Sequence, residues 1–183
     1  MTDIRLVKPT IRHADAIMAL RQELLDDKTG DKFSGCGNLE HCETAEAWLS
    51  TIEKLSDEKT CPEGRVPSDT YLAVRESDGV IVGVIDFRHH INHPILALWG
   101  GHTGYIVRPS ERGKGYAKEM LRQNLQKAWE QGYDRILITC DANNPASEKT
   151  ILANGGNLYD FTERGSTGKT YEKAAAKHRH GTE

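Results

Sequence analysis

The stretch Tyr105-Ile106-Val107-Arg108-Pro109-Ser110-Glu111-Arg112-Gly113-Lys114-Gly115-Tyr116-Ala117 decides how this chain folds. Tyr105 to Val107 is β-prone, and Pro109 cannot donate to a ladder, so a strand ends near Arg108. Beyond the turn, Ala117, Met120, Leu121, Leu125, Ala128 and Trp129 recur at helical spacing and form one apolar stripe. Between strand and helix lie Arg112, Gly113, Lys114 and Gly115. No Ser, Thr, Asp or Asn directly precedes the helix, and Ser110 is too early to cap it. A helix start exposes four backbone N–H donors and roughly half a positive charge. With no cap, two glycines that admit a ligand to the backbone, and Arg112 and Lys114 alongside, the turn suits a phosphate or pyrophosphate. The same string also fits a basic surface turn with two conformational glycines, so the flanking chain must decide.

Upstream, Ile4 to Val7 is a short strand closed by Pro9. A helix from about His13 to Asp27 follows, with Ala14, Ile17, Met18, Leu20, Leu24 and Leu25 on one face. Residues 28–43 form an irregular loop. A second helix starts after Thr44, whose hydroxyl can cap it, and buries Ala45, Ala47, Trp48, Ile52 and Leu55. Thr70 to Arg75 and Val80 to Arg88 are strands joined by Ser77-Asp78-Gly79, a hairpin signal. His89 to Trp99 is a loop or edge segment, and Gly101 to Arg108 is the fourth strand. Downstream, Gly132 ends the long helix, and Arg135 to Cys140 is a nearly all-apolar strand, as expected at the centre of a covered sheet. Ala146 to Asn154 is a short helix, and weak strands near Leu158–Thr162 and Thr170–Glu172 close the fold. The hairpin implies an antiparallel portion, and strand–helix–strand around Gly113 a parallel pair.

The 183 residues suit a single domain over residues 1–173, with Ala174 to Glu183 a flexible tail. Hydrophobic content of 37% beside 28% charged residues is globular, and a formal charge of −3 with no basic tract speaks against nucleic-acid binding. No apolar run approaches the roughly 20 residues of a membrane helix, and the N-terminus does not read as a signal peptide, so a cytoplasmic protein is expected. Cys36, Cys42, Cys61 and Cys140 form no CxxC pair and are expected as free thiols. Cys36, His41, Cys42 and Cys61 lack the paired spacing of a zinc site. Of His89, His90, His93 and His102 only His89 and His93 are four apart, in a segment read as a loop or edge and not a helix, so no metal is expected.

The element order, with Val107-x-Pro109-x-x-Arg112-Gly113-Lys114-Gly115-x-Ala117 after the fourth strand, resembles the GNAT superfamily of acetyl-CoA-dependent N-acetyltransferases. That family's signature is Gln or Arg, two residues, Gly, one residue, then Gly or Ala, which Arg112 to Ala117 fits. Asn144-x-x-Ser147, after the fifth strand, is similar to the asparagine and small-residue pair the family sets along the pantetheine arm. The resemblance spans about Ile4 to Glu172. It implies an α/β (α+β mixed) fold with a mixed twisted sheet of about six to seven strands flanked by about four helices.

The resemblance further implies that backbone N–H groups of Gly113, Lys114, Gly115, Tyr116 and Ala117, beside Arg112, hold the pyrophosphate of acetyl-CoA. The backbone of Ile106 and Val107 would pair with the pantetheine as an added strand. Strands four and five would splay to open the cleft, Asn144 would bond the pantetheine, and Ser147 would lie near the thioester sulfur. The implied activity is transfer of acetyl from acetyl-CoA to a primary amine by direct attack in a ternary complex. The alternative is a non-catalytic acyl-CoA-binding or sensor module.

Many relatives place a glutamate base on strand four and a tyrosine acid one turn beyond the asparagine pair. Here strand four reads Gly101-His102-Thr103-Gly104-Tyr105, and Ile151 takes the tyrosine's place. Catalytic candidates are therefore His102, whose ordinary pKa of about 6.5 suits a base, Ser147 as a donor to the thiolate, and Tyr105 on the same strand. Asp86 and Arg88 lie near a loop expected to face the acceptor. A nucleotide-hydrolase P-loop is excluded, since Arg108 stands where its first glycine would be and Gly115 follows the lysine. The acceptor is a small-molecule or peptide amine of unspecified identity, and the chain a monomer or homodimer.

Overall fold

The hairpin turn carries the first half of the fold. In the computed structural model, which describes residues 3–29, 33–164 and 169–177, β2 (Ser68–Arg75) and β3 (Ile81–Arg88) pair antiparallel across it. Gly79 has φ +74°, a conformation that side chains resist, and the Asp78 carboxylate accepts from the Val80 N–H. β1 (Ile4–Val7) and β4 (Tyr105–Val107) add to either side, giving a four-stranded antiparallel sheet in the order β1-β2-β3-β4. β4 is shorter than the strand expected from Gly101, although Asp86 and Arg88 N–H groups still bond the Gly104 and His102 carbonyls.

The two faces of this sheet take different helices. Leu72, Val84 and Ile106 are successive cross-strand partners and pack on Ile17, Leu20 and Leu24 of α1 (Ala14–Asp26) and on Trp48 and Ile52 of α2 (Ala45–Leu55). Thr44 caps α2 as expected, accepting from the Ala47 N–H at 3.2 Å. The opposite face, with Tyr71, Ile85 and Tyr105, packs on α3 (Tyr116–Glu130) through Tyr116 and Met120. One position in the α3 stripe is polar. Asn124 is buried, and its amide donates to the Asp86 carbonyl and the Thr103 hydroxyl at 3.0 and 3.1 Å.

A second, three-stranded sheet follows, in the order β5-β7-β6, from β5 (Arg135–Asp141), β6 (Gly156–Arg164) and β7 (Lys169–Lys177), with α4 (Pro145–Ala153) between β5 and β6. Three expectations are corrected here. β5 is an edge strand, and its burial alternates: Ile136, Ile138 and Cys140 are buried and Arg135 is exposed. Half-buried alternation, and not coverage on both faces, is what its β-branched run serves. Every ladder among the described residues is antiparallel, so the parallel pair expected of the fourth and fifth strands does not form as a ladder. Ala174 to Lys177, expected in the flexible tail, lie in β7 opposite Ile138 to Arg135, while residues 178–183 fall outside the described set. Among the described residues, seven strands and four α-helices otherwise match the expected architecture, and no helix is long and apolar enough to cross a membrane.

Candidate active site

The glycine turn has the conformation its composition implies. Gly113 and Gly115 take φ of +78° and +84°, and Gly115 occupies the N-cap position of α3 with no side chain accepting from the first turn. A Cβ built on Gly113 would meet nothing within 4 Å, so the glycine leaves open space beside the backbone. Uncapped N–H donors at the positive end of a helix, with clear access, make an anion site.

The side chains around this turn are engaged elsewhere. Arg112 pairs with Asp27 at 2.7 Å and donates to the Thr29 hydroxyl at 3.1 Å, while Lys114 pairs with Glu111 at 2.8 Å. Glu111 also holds Arg75 at 2.7 Å, and Arg108 binds Glu23 at 2.5 Å, whose second oxygen accepts from the Ser110 N–H. The positive charge expected from Arg112 and Lys114 is thus matched by carboxylates, and the backbone carries the anion-binding character. Tyr116 is buried with its hydroxyl 2.9 Å from Arg75, so only its main chain belongs to the turn.

β4 is the last strand of its sheet. The bonds from the Asp86 and Arg108 N–H groups to the Gly104 and Val82 carbonyls set an alternation that turns the Ile106 main chain toward β3. Of the two residues expected to meet an added strand, only Val107 therefore faces the open edge. On that edge Arg112 Nε reaches the Val107 carbonyl at 3.3 Å. Beside it the two sheets are joined by a backbone bond from the His102 N–H to the Leu137 carbonyl at 2.8 Å. Beyond that point no ladder among the described residues joins β4 to β5, which leaves a cleft in the hydrogen bonding between them.

Tyr105 and Ser147 meet across this cleft. Their hydroxyl oxygens are 2.7 Å apart, and burial pushes the Tyr105 phenol up to about 12. Asn144 caps α4, its Oδ1 accepting from the Ser147 N–H at 3.1 Å, so the amide nitrogen is the part left for another group.

His102 has a different position from the one its place on the strand implied. It is buried, stacked on Phe87 with centroids 6.0 Å apart, and its Nδ1 accepts from the Leu137 N–H at 3.0 Å. With Nδ1 so engaged, the neutral ring carries its proton on Nε2 and has no lone pair for an amine. Burial also lowers its pKa. The geometry is that of a clip between the sheets.

On the far side of β4 lies a cleft of about 250 Å³, lined by Cys36 to Asn38, Arg65, Ser68, Asp86, Arg88 and His93 among others. Its carboxylate, Asp86, accepts from the Gly104 N–H at 2.6 Å and pairs with Arg88 at 3.2 Å. Burial raises the Asp86 pKa against the pull of Arg88. Arg88 is further held by the Gly100 and Gly101 carbonyls at 2.8 and 3.1 Å.

This arrangement, a glycine-broken anion site at a helix start beside a free strand edge, coincides with a family match. The model of the acetyltransferase (GNAT) domain matches residues 3–157. The chain belongs to the GNAT acetyltransferase family. No curated protein sequence matches it. Solved GNAT structures share the fold at low identity. One is the ribosomal L7/L12 α-N-protein acetyltransferase RimL in complex with coenzyme A (18% identity, 97% of this chain and 95% of that chain, TM-score 0.67). Another is the microcin C7 self-immunity acetyltransferase MccE in complex with acetyl-CoA and AMP (18%, 97% and 94%, TM-score 0.66). A third is a spermidine N-acetyltransferase SpeG chimera from Vibrio cholerae and hSSAT (10%, 96% and 95%, TM-score 0.63).

Within this GNAT domain the sequence marks the glycine turn, β4, Asn144 and Ser147 as candidates but does not mark the carboxylates paired around the turn. Glu23 and Asp27 are four apart at the end of α1, a spacing that marks one helix face but names no partner. From the sequence Asp86 reads only as a neighbour of a loop expected to face the acceptor. An acidic residue in the otherwise apolar run Val80–Phe87 is the signal, since a charge in a buried strand requires partners.

Proposed function

We propose that this GNAT domain transfers acetyl from acetyl-CoA to a primary amine by direct attack while both substrates are bound. The observation that carries the reading is the uncapped start of α3, with Gly113 and Gly115 in left-handed conformations and no side chain across the N–H donors. The main chain of residues 113–117 would take the pyrophosphate, the outward backbone groups of Val107 on the edge of β4 the pantetheine amides, and the Asn144 amide nitrogen a further pantetheine oxygen. Acetyl-CoA, when bound, supplies an activated acetyl thioester.

The chain's own residues supply the setting for attack. Ser147, oriented by Tyr105, donates a hydrogen bond toward the departing sulfur. The rigid collar of ion pairs holds the turn in its binding shape before the ligand arrives, which lowers the ordering cost of binding. The acceptor enters from the side of β4 that carries the Asp86 cleft, because the other face is filled by α3.

Acetyl-CoA at 100 times its dissociation constant should stabilise the protein by about 2.7 kcal/mol, a melting shift of about 5 to 10 °C. Thiol release across a panel of amines then tests transfer. An absent shift removes the cofactor reading, whereas a shift with no turnover on any amine identifies an acyl-CoA-binding module.

A further inference from the structure

We propose that Asp86 is the group that receives the acceptor's ammonium and takes its proton, and that the cleft around it selects amines that also carry a carboxylate. The inference rests on the acetyltransferase reading above and extends it to the acceptor.

Position comes first. The Asp86 side chain lies on the α1–α2 face of the sheet, bonded to the Gly104 N–H at 2.6 Å. The next residue, Tyr105, projects to the other face, where its hydroxyl meets Ser147 at 2.7 Å. Two consecutive residues, Gly104 and Tyr105, therefore separate a carboxylate on one side from a hydroxyl pair on the other. An amine attacking from the carboxylate side would expel sulfur toward the hydroxyl side.

Charge comes second. Asp86 is the only acidic residue among the described residues that line the cleft, while Arg65, Arg88 and His93 line it as well. Arg88 is spent on Asp86 and two loop carbonyls. Arg65 makes no ion pair with any described residue, and it sits close enough to act on Asp86. A polyamine would bring its second cation against Arg65, whereas an aminocarboxylate places an anion there. At about 250 Å³ the cleft lies below the usual range for drug-sized ligands, so a small acceptor fits best.

The protons balance as follows. Asp86 accepts one proton from the ammonium and later releases it to solvent. The freed lone pair forms the N–C bond, and the C–S bond breaks with its electron pair going to sulfur. The second proton leaves nitrogen as the amide forms, and sulfur takes one up by way of Ser147. A buried carboxylate with raised proton affinity is the better base for this exchange. The groups facing Asp86 are Arg88 of its own strand, Arg65 before β2, Cys36 of the loop after α1, and His93 of the segment after β3.

The test uses the intact protein with amino acids, their carboxamides and spermidine as acceptors. Free amino acids should turn over at least about tenfold faster than their amides, and Arg65→Gln should erase that preference through KM. Asp86→Asn keeps an oxygen for the Gly104 N–H, so acetyl-CoA should still raise the melting temperature. Its kcat/KM at neutral pH should fall about 100-fold and then climb about tenfold per pH unit toward the amine pKa, while the wild type stays flat. Preference for spermidine or amides, no turnover of any amino acid, or an unchanged pH profile in Asp86→Asn overturns the proposal. If acetyl-CoA fails to stabilise even the wild type, the failure lies with the cofactor reading instead.

Discussion

The Tyr105 hydroxyl lies 2.7 Å from that of Ser147, tying β4 to the first turn of α4. Ile151, one turn into α4, is buried, and the phenol at this helix start comes from β4 instead. Tyr105→Phe should reduce kcat by about 10- to 100-fold with little change in KM for acetyl-CoA, the loss of one hydrogen bond in a chain ending on charged sulfur. Stability should fall by about 1 kcal/mol. Unchanged kcat would make the pair a packing contact. The phenol's raised pKa of about 12 keeps it protonated through the neutral range, and its contribution to stability is full below about pH 10 and declines above it.

Gly113→Ala separates fold from binding. With nothing within 4 Å of the new methyl, the fold loses only the conformational cost of a left-handed residue, about 1–2 kcal/mol. The methyl intrudes on the space above the helix start, so the thermal shift with acetyl-CoA should disappear. Differential scanning fluorimetry with and without the ligand reads both effects.

Gly35→Ala should be far more damaging. Its φ is +71°, and a Cβ there would lie 2.0 Å from the Gly104 carbonyl oxygen, a backbone atom that cannot swing aside. We expect about 2–4 kcal/mol of destabilisation and loss of turnover, because the segment displaced holds Asp86 through the Gly104 N–H and carries Tyr105. A chemical denaturation curve beside a turnover assay checks both.

Asp69 provides a pH signature. It accepts from His89 at 3.0 Å and pairs with Lys8, joining the ends of three strands, and these partners hold its carboxyl at about 2. A lowered pKa stabilises above the unfolded value near 4, and that stability is lost as pH falls from about 4 to 2. The wild type should lose about 2 kcal/mol across this window that Asp69→Asn lacks. Thermal melts at stepped pH measure it.

What was legible in the sequence is what local chemistry writes down. The Asp78-Gly79 hairpin, the Thr44 cap, the uncapped glycine turn and the apolar stripe of α3 each follow from residues within one turn of each other. What was not legible depends on chain segments meeting across long separations. Nothing near His102 says that Leu137 will occupy its Nδ1, and nothing near Tyr105 says that its phenol will end on Ser147. β5 shows the same limit. Its run of β-branched residues fits a central or an edge strand equally, and only the pairing partner decides.

The ion pairs around the glycine turn have a consequence for solution behaviour. Arg108, Arg112 and Lys114 each sit opposite a carboxylate, Glu23, Asp27 and Glu111, so the side chains of the turn present little net field. A ligand held there answers to fixed peptide dipoles at contact range, which added electrolyte screens weakly. Acetyl-CoA affinity should therefore change by less than about threefold between 50 and 500 mM sodium chloride, as isothermal titration would show, whereas a site built on unpaired cations would weaken steeply.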